Sequence, residues 1–242
     1  AASHTFRLLS AEDPALADCM RLFAERPAHA EREPERFFDI MRSWDSQAWL
    51  VSKESEVSGY LVASKTGEEI LELVLCDTAM AAAVTADWVL YRGVKQTEVI
   101  LPPFDKDGIR SLSQLAETMR VEAADNMAVF RFDTTVHAFF KLKASYDPVP
   151  DGELVILVEG HSAFRMSASA GVVKAEKTEE PAHLLLSYTD ALSVLFSPLG
   201  GICAAGLEDL VKAGPAGYGN RERALLRAWL PLPLFFDKAD NV

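Results

Sequence analysis

Apolar and polar residues in the first half of the chain predict a sheet flanked by helices. The predicted order is strand, two helices, three antiparallel strands, helix, strand, helix, strand. The three central strands are predicted at 47–52, 57–64 and 69–76, joined by short polar connections. Gly59 interrupts the middle one of these strands. A glycine inside a strand indicates that another backbone, or a partner, approaches closely at that position.

The second half begins with the alternating residues Met127–Phe132, which predict a strand. Asp133 or Thr134 is the expected cap of the helix that follows, and Asp147-Pro148 is expected to end that helix. Strands are then predicted at 153–159, 162–167, 172–177 and 183–186, and helices at 188–196, 206–213 and 221–229. We therefore predict an α+β protein of two domains, residues 1–127 and 128–242.

Composition and charge restrict the class of protein. With 49% hydrophobic and 25% charged residues, the chain has enough apolar surface for two cores. It contains no run of about 20 apolar residues, as a membrane span would need, and no secretion signal at residues 1–7. We expect a cytoplasmic protein with no membrane partner. The net charge of −12 argues against nucleic-acid binding, which needs clustered basic residues.

The cysteines and the charged residues before the second helix indicate no site of their own. Cys19, Cys76 and Cys203 are odd in number and widely spaced, so we expect buried free thiols and no metal site. The run Glu31–Glu35 contains both acidic residues and the basic Arg32. It is predicted to be a solvated segment without a function.

The strand order and the residues Trp49–Val62 and Leu71–Val74 resemble the core of the GNAT N-acetyltransferase fold. In that fold a glycine-rich turn after the fourth strand binds the diphosphate of acetyl-CoA through backbone amides. Here the corresponding residues, Leu75–Val84, contain neither glycine nor a basic residue. Asp77 is expected to cap the helix start instead. We therefore predict a GNAT-like domain that binds no cofactor itself.

The second half is similar to a sterol-carrier-like domain in residues Gly152–Gly160 and Leu186–Leu199. The combination of both halves resembles the enhanced-intracellular-survival family of N-acetyltransferases. The predicted fold is thus a GNAT-like mixed sheet with flanking helices, followed by a sterol-carrier-like α/β domain. The resemblance covers the last two of the family's three domains. The family's first domain, which holds acetyl-CoA and a tyrosine general acid, has no counterpart in these residues.

The resemblance places the candidate site in the C-terminal tail. Prolines alternate with leucines over Leu230–Leu234, which excludes a helix and favours an extended path. Phe235 and Phe236 are expected to anchor the tail by burial and to border the substrate. The resemblance implies that the carboxylate of Val242 is the base that deprotonates an amine substrate, with Asp240 beside it. Judged by itself, Val242 is a solvated chain end.

Three functions are compatible with the residues. The first is the non-catalytic C-terminal portion of an acetyltransferase, which shapes the acceptor site and docks to a catalytic GNAT domain that binds acetyl-CoA. The second is a stand-alone sterol-carrier-like module for an apolar ligand. The third is a structural protein that forms homo-oligomers. Binding of acetyl-CoA by the chain itself would contradict the first.

Overall fold

The computed structural model describes residues 3–43, 45–120, 128–196 and 210–235. These residues divide into two compact units. Unit 1 comprises 3–119 together with Phe235, and unit 2 comprises 120–234. Both are mixed α+β units, each with one five-stranded sheet among the residues described. None of the described helices is both long and apolar enough to cross a lipid bilayer.

Unit 1 is a twisted sheet with helices on both faces. Its strands are β1 (His4–Leu8), β2 (Ser46–Lys53), β3 (Glu56–Ser64), β4 (Glu69–Leu75) and β5 (Glu98–Val99). Its helices are α1 (Leu16–Ala24), α2 (Phe37–Ser43), α3 (Ala81–Arg92) and α4 (Lys106–Leu112). The strands lie in sequence order, antiparallel from β1 to β4 and parallel between β4 and β5. The sequence predicts the last helix of this half at about 109–119, whereas α4 is shorter and begins earlier.

Gly59 explains how β3 and β4 approach each other. Its φ of +148° is a conformation that residues with a side chain rarely adopt, and a β-carbon there would lie 2.1 Å from the carbonyl oxygen of Val74. The close approach predicted from the sequence is therefore confirmed. It lies where β4 ends and the chain turns towards α3, so it positions the candidate site.

Two apolar layers cover the sheet of unit 1. One face packs against α1 and α2 through Cys19, Phe23, Phe37 and Tyr60. The other face packs against α3, whose Trp88 is fully buried and lies edge-on to Phe6 and Trp49. Both tryptophans are therefore core residues, as most large aromatic side chains in a domain of this size are.

Unit 2 contains the strands β6 (Gly152–Val158), β7 (Phe164–Ser169), β8 (Val172–Lys177), β9 (Leu184–Leu186) and β10 (Lys212–Ala213), and the helices α5 (Phe132–Tyr146), α6 (Tyr188–Phe196) and α7 (Asn220–Trp229). The sheet order is β10-β9-β6-β7-β8, and β9 runs parallel to β6. After β8 the chain therefore crosses to the far side of β6. The resemblance to a sterol-carrier-like domain implies a meander sheet with helices across one face, and the meander is wrong in this respect, because β9 follows β8 in sequence but pairs with β6.

Two predicted elements of unit 2 differ from the structure. Residues 128–131 do not form a strand, and Met127 lies outside the described residues. Val129 is buried and Phe130 is 85% exposed, so the alternation is real. The amide of Val129 nevertheless donates to the hydroxyl of Tyr188 at 2.8 Å rather than to a neighbouring strand. The helix predicted at 206–213 is wrong at its end, because Lys212 and Ala213 pair with β9.

Candidate functional site

The turn between β4 and α3 is the place where a coenzyme would bind in a GNAT-like fold. The carboxylate of Asp77 accepts a hydrogen bond from the amide of Ala79 at 3.0 Å. The carbonyl of Asp77 accepts one from the amide of Met80 at 3.2 Å. The predicted cap is therefore confirmed, and two of the amides that could face an anion are bonded within the chain.

The next two amides are also bonded within unit 1. The amide of Ala81 donates to the carbonyl of Thr78. The amide of Ala82 donates to the hydroxyl of Ser111 on α4 at 3.1 Å, and that hydroxyl donates to the carbonyl of Ala79 at 2.6 Å. Ser111 thus joins α4 to the start of α3. All four amides from Ala79 to Ala82 have partners inside the chain.

An open cleft of about 390 Å³ lies beside this turn. It is bordered by residues of the β2–β3 turn, of β3, of the end of β4 and of α3: Lys53, Glu54, Glu56, Val57, Ser58, Leu75, Cys76, Asp77, Met80 and Val84. The residues that border it include three acidic ones and one lysine. The local charge therefore disfavours a diphosphate and favours a cation.

A buried ionic cluster lies on the opposite face of the sheet, around Glu72 of β4. The guanidinium of Arg32 binds the Glu72 carboxylate through both terminal nitrogens, at 3.0 and 2.7 Å. The hydroxyl of Tyr60 donates to the same carboxylate at 2.6 Å. The side chains of Arg32 and Glu72 are each 1% exposed, and Tyr60 is fully buried. Burial and the neighbouring Glu72 carboxylate together raise the pKa of Tyr60 well above its usual value.

Aromatic rings surround this cluster. The guanidinium carbon of Arg32 lies 3.8 Å from the ring centre of Phe23 and 6.0 Å from that of Phe37. Arg26 is the second cation nearby, with one guanidinium nitrogen 4.0 Å from the Glu72 carboxylate. The cluster is thus a desolvated ion pair between aromatic faces, an arrangement that stabilises guanidinium.

The prediction that Glu31–Glu35 is a solvated run is wrong for Arg32. The signal that could have shown this lies in β4. Glu72 stands among Ile70, Leu71, Leu73 and Val74, and a carboxylate in a strand buried on both faces needs a cationic partner. The sequence does not reveal which arginine supplies it, because Arg32 is 40 positions away along the chain.

The structure describes one of the four predicted site residues. Phe235 is half-buried and packs edge-on against Phe104, with ring centres 6.2 Å apart. The guanidinium carbon of Arg26 lies 5.5 Å from the ring centre of Phe104. Phe236, Asp240 and Val242 lie outside the described residues, so the roles predicted for them stay predictions.

The proline-rich segment before Phe235 is not helical, as its sequence predicts, but the amide of Leu234 donates to the carbonyl of Leu232 at 2.8 Å, so the predicted extended path is interrupted by a tight turn at Pro233. Residues 230–235 contain neither helix nor strand. Leu230 and Leu232 are buried in the core of unit 2, and the amide of Leu232 donates to the carbonyl of Leu195 at 2.8 Å. This segment is therefore held by burial of Leu230, Leu232 and Pro233 and by its backbone.

The described cysteines differ from each other. Cys19 is a buried free thiol, and burial raises its pKa to about 12. Cys76 is an exposed free thiol, so the prediction of a buried one is wrong there, because Cys76 stands just past the end of β4. Cys203 lies outside the described residues. Within the described residues no three metal-ligating side chains converge.

Comparison by sequence gives no assignment, since no family model and no curated protein matches this chain. Solved structures do match by fold. A GCN5-related N-acetyltransferase from Anabaena variabilis matches with a TM-score of 0.54 and 14% identity, over 98% of this chain and 62% of its own. One from Kribbella flavida matches at 0.50 and 17%, over 93% and 57%. A protein of unknown function from Enterococcus faecalis, described as a probable N-acyltransferase, matches at 0.55 and 13%, over 96% and 61%.

These likenesses concern the fold. This chain spans about three fifths of the length of the matched structures, which carry further residues without a counterpart here. Identity of this order does not carry an activity from one protein to another. The chain has a mixed α+β fold similar to that of GCN5-related N-acetyltransferases.

Proposed function

We propose that this chain is the non-catalytic C-terminal portion of a GNAT-type N-acetyltransferase of the enhanced-intracellular-survival kind. In this role, unit 1 is a GNAT-like domain without a coenzyme, and unit 2 is a sterol-carrier-like domain. The chain docks to a catalytic domain that binds acetyl-CoA. It shapes the site for an amine acceptor and supplies the carboxylate of Val242 as the base.

One observation carries the proposal. The amides of Ala79, Met80, Ala81 and Ala82 are all bonded within the chain, to Asp77, Thr78 and Ser111. Diphosphate binding at a helix start needs such amides unbonded and pointing at the ligand. Releasing all four would break four hydrogen bonds and bring the diphosphate beside the Asp77 carboxylate. The similarity of fold and the shorter length of this chain relative to the matched structures support the assignment of coenzyme binding to another domain.

Titration with acetyl-CoA tests the first half of this proposal. We expect no saturable heat in isothermal titration calorimetry of the whole chain, which corresponds to a Kd above about 1 mM. ADP, which carries the same diphosphate, shows whether the diphosphate alone is bound, and we expect no saturable heat from it either. Saturable binding of acetyl-CoA in the micromolar range would show that the chain holds its own coenzyme and would overturn the proposal.

Removal of Val242 tests the role of the tail in the enzyme that contains this chain and a catalytic domain. Deletion moves the terminal carboxylate back by about 3.5 Å. Loss of a positioned base is expected to lower kcat by about 10²–10⁴-fold, with a much smaller change in KM. Val242→Leu keeps the carboxylate in place and should retain activity. An unchanged kcat after the deletion would exclude the carboxylate as base without affecting the prediction for acetyl-CoA.

A further inference from the structure

The Glu72 cluster has the composition of a ligand site rather than of an ordinary surface ion pair. It combines a carboxylate that accepts two parallel hydrogen bonds, a phenol hydroxyl on the same carboxylate, and an aromatic face 3.8 Å from the bound guanidinium. These are the groups that recognise a planar cation in proteins. Arg32 occupies the position that such a ligand would take.

The segment that carries Arg32 has no regular secondary structure. Residues 25–33, between α1 and the short 3-10 turn Pro34–Arg36, contain neither helix nor strand. A second open cleft of about 380 Å³ borders this segment and reaches Phe23, His29 and Arg32. Phe23 belongs both to the wall of the cleft and to the cluster. A cation entering from this cleft therefore needs to displace only Arg32 and its segment.

The rest of the cluster is fixed by the core. Glu72 and Tyr60 lie on neighbouring strands at the centre of the sheet. Phe23 of α1 and Phe37 of α2 are 2% and 0% exposed and belong to the apolar layer between these helices and the sheet. Phe23, Phe37 and Tyr60 thus pack in one apolar cluster and Glu72 is part of β4, so Arg32 is one contact among several for these side chains. A site whose walls stay in place when its occupant leaves can be filled by a second occupant of the same shape and charge.

We propose that Glu72, Tyr60, Phe23 and Phe37 form a binding site for a guanidinium group, which Arg32 fills from within the same chain. A small guanidinium compound takes the same position when Arg32 is absent. The segment 25–33 then holds the Arg32 guanidinium in this site, as a ligand supplied by the chain itself. This inference is independent of the proposed function, because it concerns the face of unit 1 opposite to α3.

Chemical rescue of Arg32→Ala tests the site. Methylguanidinium is added at 1–20 mM, as a probe of millimolar affinity requires, at constant ionic strength maintained with NaCl. The melting temperature of the variant should rise saturably, by roughly 5 °C at ten times the Kd. Methylammonium, which cannot form two parallel hydrogen bonds, should raise it much less. The wild-type chain should not respond, because Arg32 occupies the site.

Two further variants make the result specific. Arg32→Ala/Glu72→Gln removes the carboxylate and should abolish the response to methylguanidinium. Arg26→Gln/Arg32→Ala removes the other cation near Glu72, which could otherwise move in, and should respond at least as strongly. Saturable rescue that depends on Glu72 supports the site. The proposed site would be overturned by equal responses in the wild-type chain and all variants. It would also be overturned if neither Arg32→Ala nor Arg26→Gln/Arg32→Ala responded.

Refolding yield replaces the melting temperature if the Arg32→Ala chain does not fold by itself. The variant is diluted from denaturant into graded methylguanidinium, and the fraction that recovers wild-type circular dichroism is measured. A yield that rises saturably with methylguanidinium, and does not rise with methylammonium, supports the site. A yield that stays at its starting value over the whole range overturns it.

Discussion

Replacing Arg32 by alanine should lower the free energy of unfolding of unit 1 by about 3–5 kcal/mol, because it leaves a buried carboxylate without its cation. Glu72 is 1% exposed, so its carboxylate is desolvated and loses two hydrogen bonds with Arg32. Hydrogen exchange followed by mass spectrometry measures the effect for each unit separately. Peptides from β3 and β4 should lose protection, whereas peptides from β6 and β7 in unit 2 serve as the internal reference.

Two companion variants separate the ion pair from a general loss of packing. Arg21→Ala removes an arginine whose side chain is 58% exposed and which pairs with Glu25 on the surface of α1, so its cost should stay within about 0.5 kcal/mol. Arg32→Ala/Glu72→Gln removes both charges and should recover more than half of the loss. If the double variant were as unstable as Arg32→Ala, the loss would come from packing and not from the unpaired charge.

Local chemistry made the framework of unit 1 predictable. Each of the strands β2, β3 and β4 is an apolar stretch bounded by short polar turns, and each predicted strand agrees with the structure to within one residue at either end. Asp77 and Gly59 were predictable for the same reason. A cap and a close backbone approach each depend on what one residue type allows at one position.

Features that depend on distant partners were not predictable in this way. Residues 128–131 alternate like a strand, but a strand needs a neighbour, and Val129 pairs with a side chain of α6 instead. β9 skips β8 to pair with β6, which no local pattern indicates. Arg32 looks like part of a solvated run because its partner is a single glutamate in a remote strand. In each case the information lies in tertiary contacts.

The candidate sites show the same limit. The absence of glycine at 75–84 is visible in the sequence. The hydrogen bond from the amide of Ala82 to Ser111 is not, because only the packing of α4 brings Ser111 to the start of α3. Phe235 was predicted as an anchor from its type alone. The contact of the Phe235 ring with Phe104, which also packs against Arg26, is apparent only in the folded unit.

Replacing Gly59 by alanine should prevent β3 and β4 from pairing in their present register, at a cost of more than about 3 kcal/mol. The added β-carbon would lie 2.1 Å from the carbonyl oxygen of Val74 and 2.8 Å from the α-carbon of Leu75, and backbone atoms cannot rotate away as a side chain can. Gly93→Ala is the matched control. Its φ of +66° also disfavours a side chain, but its β-carbon would meet nothing within 4 Å, so only the conformational cost of about 1 kcal/mol remains. Thermal unfolding of the two variants should therefore differ strongly. If the two variants lost equal stability, the register of β3 and β4 would not depend on the absence of a side chain at residue 59. The start of α3 would then be positioned by its caps alone.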